Sequence, residues 1–220
     1  MRHKREFILG FALLLIATLA FLFGWTNIFT VKEVSVTGSP NSQITKQVLE
    51  IADIKTGEKL ARIEPRAISS NLALAGIDWI ESVKISRNWI SRAVTINLAA
   101  RDPIAYSDSR YVDASGVLFT SPVKVEKKLA EIKAKDDSAR AAAVDFYLSL
   151  PAEIRDKASS ITASSAKNFQ IVMDSELRIN WGDAANNAVK VKIYQALLAL
   201  PENKKIKQMD VSDPTKPTVK

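Results

Sequence analysis

The chain has 220 residues, 47% of them hydrophobic and 25% charged, enough for one or two small cores. It has no cysteine and its one histidine is His3, so beyond the N-terminus disulfides, thiolate nucleophiles, Cys- or His-ligated zinc and His-dependent catalytic triads are excluded. The net charge of +7 comes from scattered lysines and arginines that do not alternate with aromatics, a pattern of solubility rather than of single-strand nucleic-acid binding.

No charged residue occurs from Phe7 to Trp25. As a helix of about 19 residues this run is nearly 30 Å long, close to the thickness of a hydrocarbon core. Arg2, Lys4 and Arg5 precede it, whereas the far flank TNIFTVKE holds one lysine and one glutamate. The positive-inside bias therefore predicts a cytoplasmic tail over residues 1–6, a transmembrane helix over 7–25 and an extracytoplasmic remainder. Trp25 suits the outer interface. A cleaved signal peptide would stop being apolar at a small-x-small site, but ATLA is followed by Phe21, Leu22 and Phe23, so the segment reads as a retained anchor.

The pattern then changes period. Val34 and Val36 in FTVKEVSVTG alternate as in a strand, and Gly38 permits a turn. Ile44, Val48 and Ile51 lie at helical spacing, with Ser42 able to cap the start. Pro65 fits the first turn of a second helix, Ile68 and Leu72 line its face, and Gly76 ends it. A hairpin follows: Val83 and Ile85 alternate with Lys84 and Ser86, then Val94, Ile96 and Leu98 with Thr95 and Asn97. The order strand-helix-helix-strand-strand predicts a three-stranded sheet with both helices on one face. Pro103, unable to donate in a ladder, marks the end of this part.

The second part begins with a hairpin, Tyr111 and Val112 entering a turn at Asp113 to Gly116 and Val117 to Phe119 leaving it. SARAAAVDFYLSLP reads as a helix stopped by Pro151, with Asp136 and Asp137 at its capping end. SSITASS, NFQIVMD and SELRINWGD read as short strands. The next helix has Val189, Ile193, Ala196, Leu197 and Leu200 as its buried stripe and ends at Pro201. KIKQMDVS is a last strand, and residues 213–220 read as a flexible tail.

Motifs for chemistry are scarce. Asp113 to Gly116 lacks the further oxygen ligands and the spaced glutamate of a calcium loop, and Thr56 to Lys59 lacks the first glycine and the Lys-Ser/Thr ending of a phosphate loop. Ser39 is the candidate nucleophile of a membrane-anchored Ser-Lys hydrolase, but TGSPNS also reads as a turn between strand and helix. Trp79, Trp89 and Trp181 flank strands, where they complete cores more readily than they form a sugar platform. No cofactor or metal is expected. The remaining candidate is an open sheet edge at the last strand, from Ile206 to Ser212, which the residues alone leave as readily internal as exposed.

Four stretches in order resemble the FtsQ/DivIB family of bacterial cell-division proteins. They are WIESVKISRNW…VTINLAARDPIAY, YVDASGVLF, INWGDAANNAVKVKIYQALL and MDVSDPTKP, the last most like actinobacterial members. Ile90 stands where the family often has proline, and Ala100 where it often has glutamate. The resemblance implies an α+β protein: an N-terminal transmembrane helix, a POTRA domain (β-α-α-β-β) over residues 26–102, and a mixed β-domain with flanking helices over 103–212. It implies a non-enzymatic, single-pass type II scaffold at the division septum. The partners implied are FtsB/DivIC-like and FtsL-like bitopic proteins and, through them, the septal peptidoglycan synthase complex. In the family the terminal strand takes up a partner strand. Carried over, that places strand addition at Ile206, Lys207, Gln208, Met209, Asp210, Val211 and Ser212, with Lys207, Met209 and Val211 on one face and Gln208 and Asp210 on the other. A POTRA protein of secretion or outer-membrane assembly is the rival within the same fold.

Overall fold

The computed structural model describes residues 2–24 and 26–220, which fall into two compact units that meet at Ala100 and Arg101. The first opens with one unbroken helix, α1 (Arg2–Gly24, 23 residues). Phe7, Ile8, Leu13, Leu14, Ile16 and Phe21 all point away from other protein atoms. The hydroxyls of Thr18 and Thr26 donate back to the carbonyls of Leu14 (2.8 Å) and Leu22 (2.6 Å), so neither needs water. The apolar side chains described on α1 run only from Phe7 to Leu22, and among the described residues no helix is long and apolar enough to cross a membrane. Lys4 is exposed; Trp25 and the side chains of Arg2 and Arg5, expected as anchor flanks, lie outside the described residues.

After a short 3-10 turn (Asn27–Phe29) come β1 (Glu33–Thr37), α2 (Ser42–Ala52), α3 (Pro65–Leu74), β2 (Ile80–Asn88) and β3 (Ala93–Ala100). β3 is central, with β1 parallel on one side and β2 antiparallel on the other. Its alternation puts Val94, Ile96 and Leu98 into the core, where Val48 and Ala52 of α2 and Ile68 and Leu72 of α3 are also buried. The cap of α2 is Asn41 rather than Ser42: its Oδ1 accepts from the N–H of Ile44 (2.9 Å). Gly38 turns the chain at φ +76, and a Cβ there would come within 2.0 Å of the Leu98 carbonyl oxygen. At the β2–β3 turn, Asn88 Oδ1 accepts from the N–H groups of Ile90 and Ser91 (both 3.0 Å), which holds the turn without the family's proline. Trp79 is buried as expected. Trp89 is not: it is half-buried at the turn, edge-on to Phe29.

The second unit carries a nine-stranded sheet. Its strands are β4 (Ala105–Ser107), β5 (Arg110–Val112), β6 (Leu118–Phe119), β7 (Ala130–Ala134), β8 (Ala158–Ser165), β9 (Asn168–Met173), β10 (Arg178–Gly182), β11 (Gln208–Asp210) and β12 (Thr218–Val219). Their spatial order is β12-β11-β10-β9-β8-β7-β4-β5-β6. Helices α4 (Asp137–Ser149), α5 (Ala152–Arg155) and α6 (Asn187–Ala199) flank it. Asp136 caps α4 through Ala139 N–H (2.8 Å), and the small buried Ala139 and Ala143 bring that helix close to β7 and β8. Phe146 stacks on Phe169 with ring centroids 4.4 Å apart and tilts against the fully buried Trp181.

The DASG segment is a hairpin turn between β5 and β6. Asp113 accepts from Ser115 N, Ser115 Oγ and Val117 N (2.9, 2.7 and 2.9 Å) and pairs with Arg101. Burial raises the pKa of its carboxyl, but the hydrogen bonds from Ser115, Val117 and Arg101 outweigh it and hold the value below normal. Arg101, which follows Ala100 in place of the family's glutamate, thus finds its carboxylate at Asp113.

Two expectations fail here. The stripe of α6 is turned by about one residue: Lys190 and Tyr194 are buried, Ile193 and Leu197 only half-buried, and Val189, Ala196 and Leu200 exposed. The hydrocarbon stem of Lys190 serves as core while its ammonium meets carbonyl oxygens, a solution that a hydrophobicity pattern misreads. Residues 213–220 are also no loose tail. Asp213 Oδ1 accepts from the N–H and hydroxyl of Thr215 (2.9 and 2.7 Å), Lys216 N donates to Asp213 O (3.1 Å), and the reversed chain pairs as β12.

Candidate partner-docking border

The residues expected to take up a partner strand lie near one end of the nine-stranded sheet, with one further strand of the chain outside them. Only Gln208, Met209 and Asp210 are strand, and they lie between two others. β10 pairs with them in parallel, through Arg178 N to Lys207 O (3.0 Å) and Val211 N to Asn180 O (2.9 Å). β12 pairs antiparallel on the other side. The open edge expected at Ile206 to Ser212 is therefore filled by the chain itself. The cause is the turn at Asp213 to Lys216, whose sequence signal, an aspartate followed by proline and a threonine two positions on, is readable in hindsight.

The two faces of β11 differ. Met209 (2% exposed) and Val211 (0%) are spent on the core, so they cannot be read by a partner. Lys207, expected to share their face toward a partner, is exposed and reaches Glu176 (3.3 Å). Ile206 is half-buried and Ser212 exposed. Gln208 and Asp210 face the other way, into a groove of about 240 Å³ that Gln170, Arg178, Asn180 and Thr218 help to line. Asn180 Nδ2 donates to Asp210 Oδ2 (2.7 Å), while Ser212 donates to Oδ1 through its hydroxyl (2.6 Å) and its N–H (2.9 Å). Burial raises the Asp210 pKa, but these donors, with the charge of Lys190, carry it below the ordinary carboxylate value.

Gln208 and Lys220 exchange both main-chain hydrogen bonds (N to O, 3.0 and 2.9 Å), and Lys207 N adds a third to Lys220 O (2.8 Å). Antiparallel alternation then turns the N–H and C=O of Val219 outward, while Pro217 has no N–H to offer. The outer margin of β12 is a poor template. The margin it covers on β11 is better, since Gln208 and Asp210 both direct N–H groups toward it.

Behind the border, Gly182 ends β10 at φ +69, where a Cβ would stand 2.8 Å from Ser212 Cβ. Lys190 Nζ, one of the residues that match the family's pattern, holds the carbonyls of Trp181 and Asp183. Ser39, the hydrolase candidate, donates its hydroxyl to Asn41 O (3.0 Å) in the turn before α2.

Residues 29–99 match the POTRA domain, FtsQ-type, and residues 103–212 match the C-terminal domain of cell division protein FtsQ/DivIB. The chain is 23% identical to a cell division protein FtsQ of Corynebacterium glutamicum over 97% of its own length and 96% of the relative. It is 25% identical to the protein of that name in Mycolicibacterium smegmatis over 94% of its length but 62% of the relative, and 26% identical to that of Mycobacteroides abscessus over 89% and 63%. These are non-enzymatic cell-division proteins, as the sequence led us to expect. With both domains matched in order over an α+β fold, the chain belongs to the FtsQ/DivIB family of cell division proteins.

Proposed function

We propose that the chain is a single-pass scaffold of the bacterial division machinery. Helix α1 anchors it with the N-terminus in the cytoplasm and both units outside. The charge-free run from Phe7, the basic residues before it and the unpartnered apolar surface of α1 support this orientation. Confinement to the membrane plane raises its effective concentration toward other bitopic proteins. Its partners are FtsB/DivIC-like and FtsL-like proteins, through which it influences septal peptidoglycan synthesis.

The observation that carries the binding mode is the weak last strand. β12 has two residues and covers a margin of β11 that is richer in donors. A partner segment that takes the place of β12 gains those main-chain bonds and lays side chains beside Gln208, Asp210 and Arg178 in the groove. The site is thus Gln208 to Asp210 seen from the β12 side, with Ile206, Lys207, Val211 and Ser212 as its supports. The test is capture of an FtsB/DivIC-like ectodomain by the full chain and by a chain lacking Thr218 to Lys220. Exchange predicts tighter capture after the deletion. Lost or unchanged capture would overturn it, and depletion that leaves septa normal would overturn the division role itself.

A further inference from the structure

The tip of the β2–β3 hairpin carries an isoleucine, Ile90, that is 96% exposed. A lone exposed aliphatic residue is ordinary. This one is not alone. Ile28 (54% exposed), Phe29, Trp89 and Arg92 form one concave patch with it. Phe29 packs edge-on against Trp89 (5.9 Å between centroids), and the Arg87 guanidinium lies 5.8 Å from the Trp89 ring.

The position of the patch follows from the chain. Helix α1 ends at Gly24, and Ile28 and Phe29 belong to the 3-10 turn that follows. Five residues span at most about 18 Å, so Phe29 stays that close to the end of α1, and the hairpin tip packs against Phe29 through Trp89. The segment that carries Ile28 and Phe29 is also fastened to the loop before Leu60: Lys59 Nζ donates to Thr26 O (3.0 Å), Val31 N to Glu58 O (2.7 Å), and Gly57 N to Val31 O (2.8 Å). A loose linker would make none of these bonds.

The chemistry of the patch is interfacial. It combines a tryptophan, two isoleucines and a phenylalanine with Arg92, and Lys32, whose N–H donates to Arg92 O (2.8 Å), is exposed beside it. Aromatic and aliphatic groups flanked by cations favour the boundary between headgroups and acyl chains. The turn also suits a medium poor in water, because Asn88 Oδ1 already accepts from the N–H groups of Ile90 and Ser91.

The geometry points to the hairpin tip at Trp89 to Arg92, with Ile28, as a second membrane contact: it seats in the headgroup boundary of the leaflet from which α1 emerges, with Arg92 and Lys32 toward lipid phosphates. The inference rests on the reading of α1 as an anchor. A second contact beside the end of α1 restricts the tilt of the POTRA unit on the membrane and limits the directions in which it meets partners.

The absence of native cysteine makes the test direct. Full-length Ile90→Cys and Leu74→Cys proteins, each labelled with an environment-sensitive fluorophore, are reconstituted into phosphatidylcholine–phosphatidylglycerol vesicles with and without spin-labelled lipid. Leu74 is 85% exposed but ends α3, from which the chain enters β2 at Ile80, the end of that strand about 26 Å from the tip. The expected result is blue-shifted emission and quenching by spin-labelled lipid at position 90, with neither at 74. Protein that floats with the vesicles while its position-90 probe stays in water overturns the second contact and leaves the anchor standing. Equal quenching at both positions also overturns it, as unspecific collapse onto lipid. Protein that does not float overturns the anchor and this inference together.

Discussion

Lys190 Nζ donates to the main-chain oxygen of Trp181 at 3.0 Å from a side chain that is 2% exposed. Its other two protons meet Asp183 O (2.9 Å) and Asp183 Oδ1 (3.0 Å), so all three ammonium donors are used. This group joins the end of β10 to α6. Lys190→Met keeps most of the apolar stem and strands two carbonyls. It is expected to lower stability by about 2–4 kcal/mol, read as a lower urea midpoint. Asp183→Asn, at an exposed carboxylate, is expected to leave that midpoint almost unchanged.

Proline substitution separates the two sides of β11. Gln208 N–H bonds to Lys220 O, on the β12 side. Val211 N–H bonds to Asn180 O, so by alternation Met209 N–H also faces β10. Gln208→Pro is therefore expected to reduce partner capture about tenfold or more with little change in the thermal midpoint, whereas Met209→Pro breaks the chain's own ladder and costs about 3 kcal/mol of stability. Equal effects of the two on folding, measured by thermal denaturation, would show that the sides are not distinct.

Gly182→Ala meets a positive φ and a Ser212 Cβ at 2.8 Å. The expected cost is about 2–3 kcal/mol. Hydrogen exchange should speed up first at Val211 and Asp210, the main-chain groups that this close approach positions.

Acid should loosen the second unit in a defined window. The carboxyls of Asp113 and Asp210 lie below their ordinary value in the folded chain: burial opposes this, but the hydrogen bonds of Ser115, Val117 and Arg101 to one, and of Ser212 and Asn180 to the other, outweigh it. A depressed folded pKa means that the unfolded chain binds more protons, so the stabilisation is complete above the unfolded value of about 4 and drains as pH falls through the folded values. The thermal midpoint should be flat with respect to this pair from pH 7 to about 5 and fall steeply below about 4. Asp113→Asn should flatten the fall.

Much of this architecture was legible without coordinates. The period-two runs of β2 and β3 and the helical spacing of Ile68 and Leu72 specify which faces are buried, because each repeat matches its own backbone geometry. The hairpin at Asp113 to Gly116 was equally plain, since aspartate and glycine there satisfy a turn locally. Other features were not. β7 leaves little trace in the sequence, because the alternation of AEIKA is too short to stand out. The face of α6 was misplaced because a lysine with its charge on carbonyls counts as polar in any pattern while packing as core. Trp89 was assigned to the interior because residue type reports size and apolarity, not the side of the sheet on which a turn leaves it.

The sequence by itself determined the element order of the first unit, the two-domain α+β plan and, beyond His3, the lack of His- or Cys-based chemistry, since these depend on local periodicity and on which side chains exist. Tertiary structure alone decided which margin of the large sheet is covered and which groups stay available to a partner. An edge is a property of neighbours: two residues, Thr218 and Val219, folded back by a turn at Asp213, convert the expected outer strand into an inner one, and the turn signal in the sequence does not say which strand the reversed chain will meet.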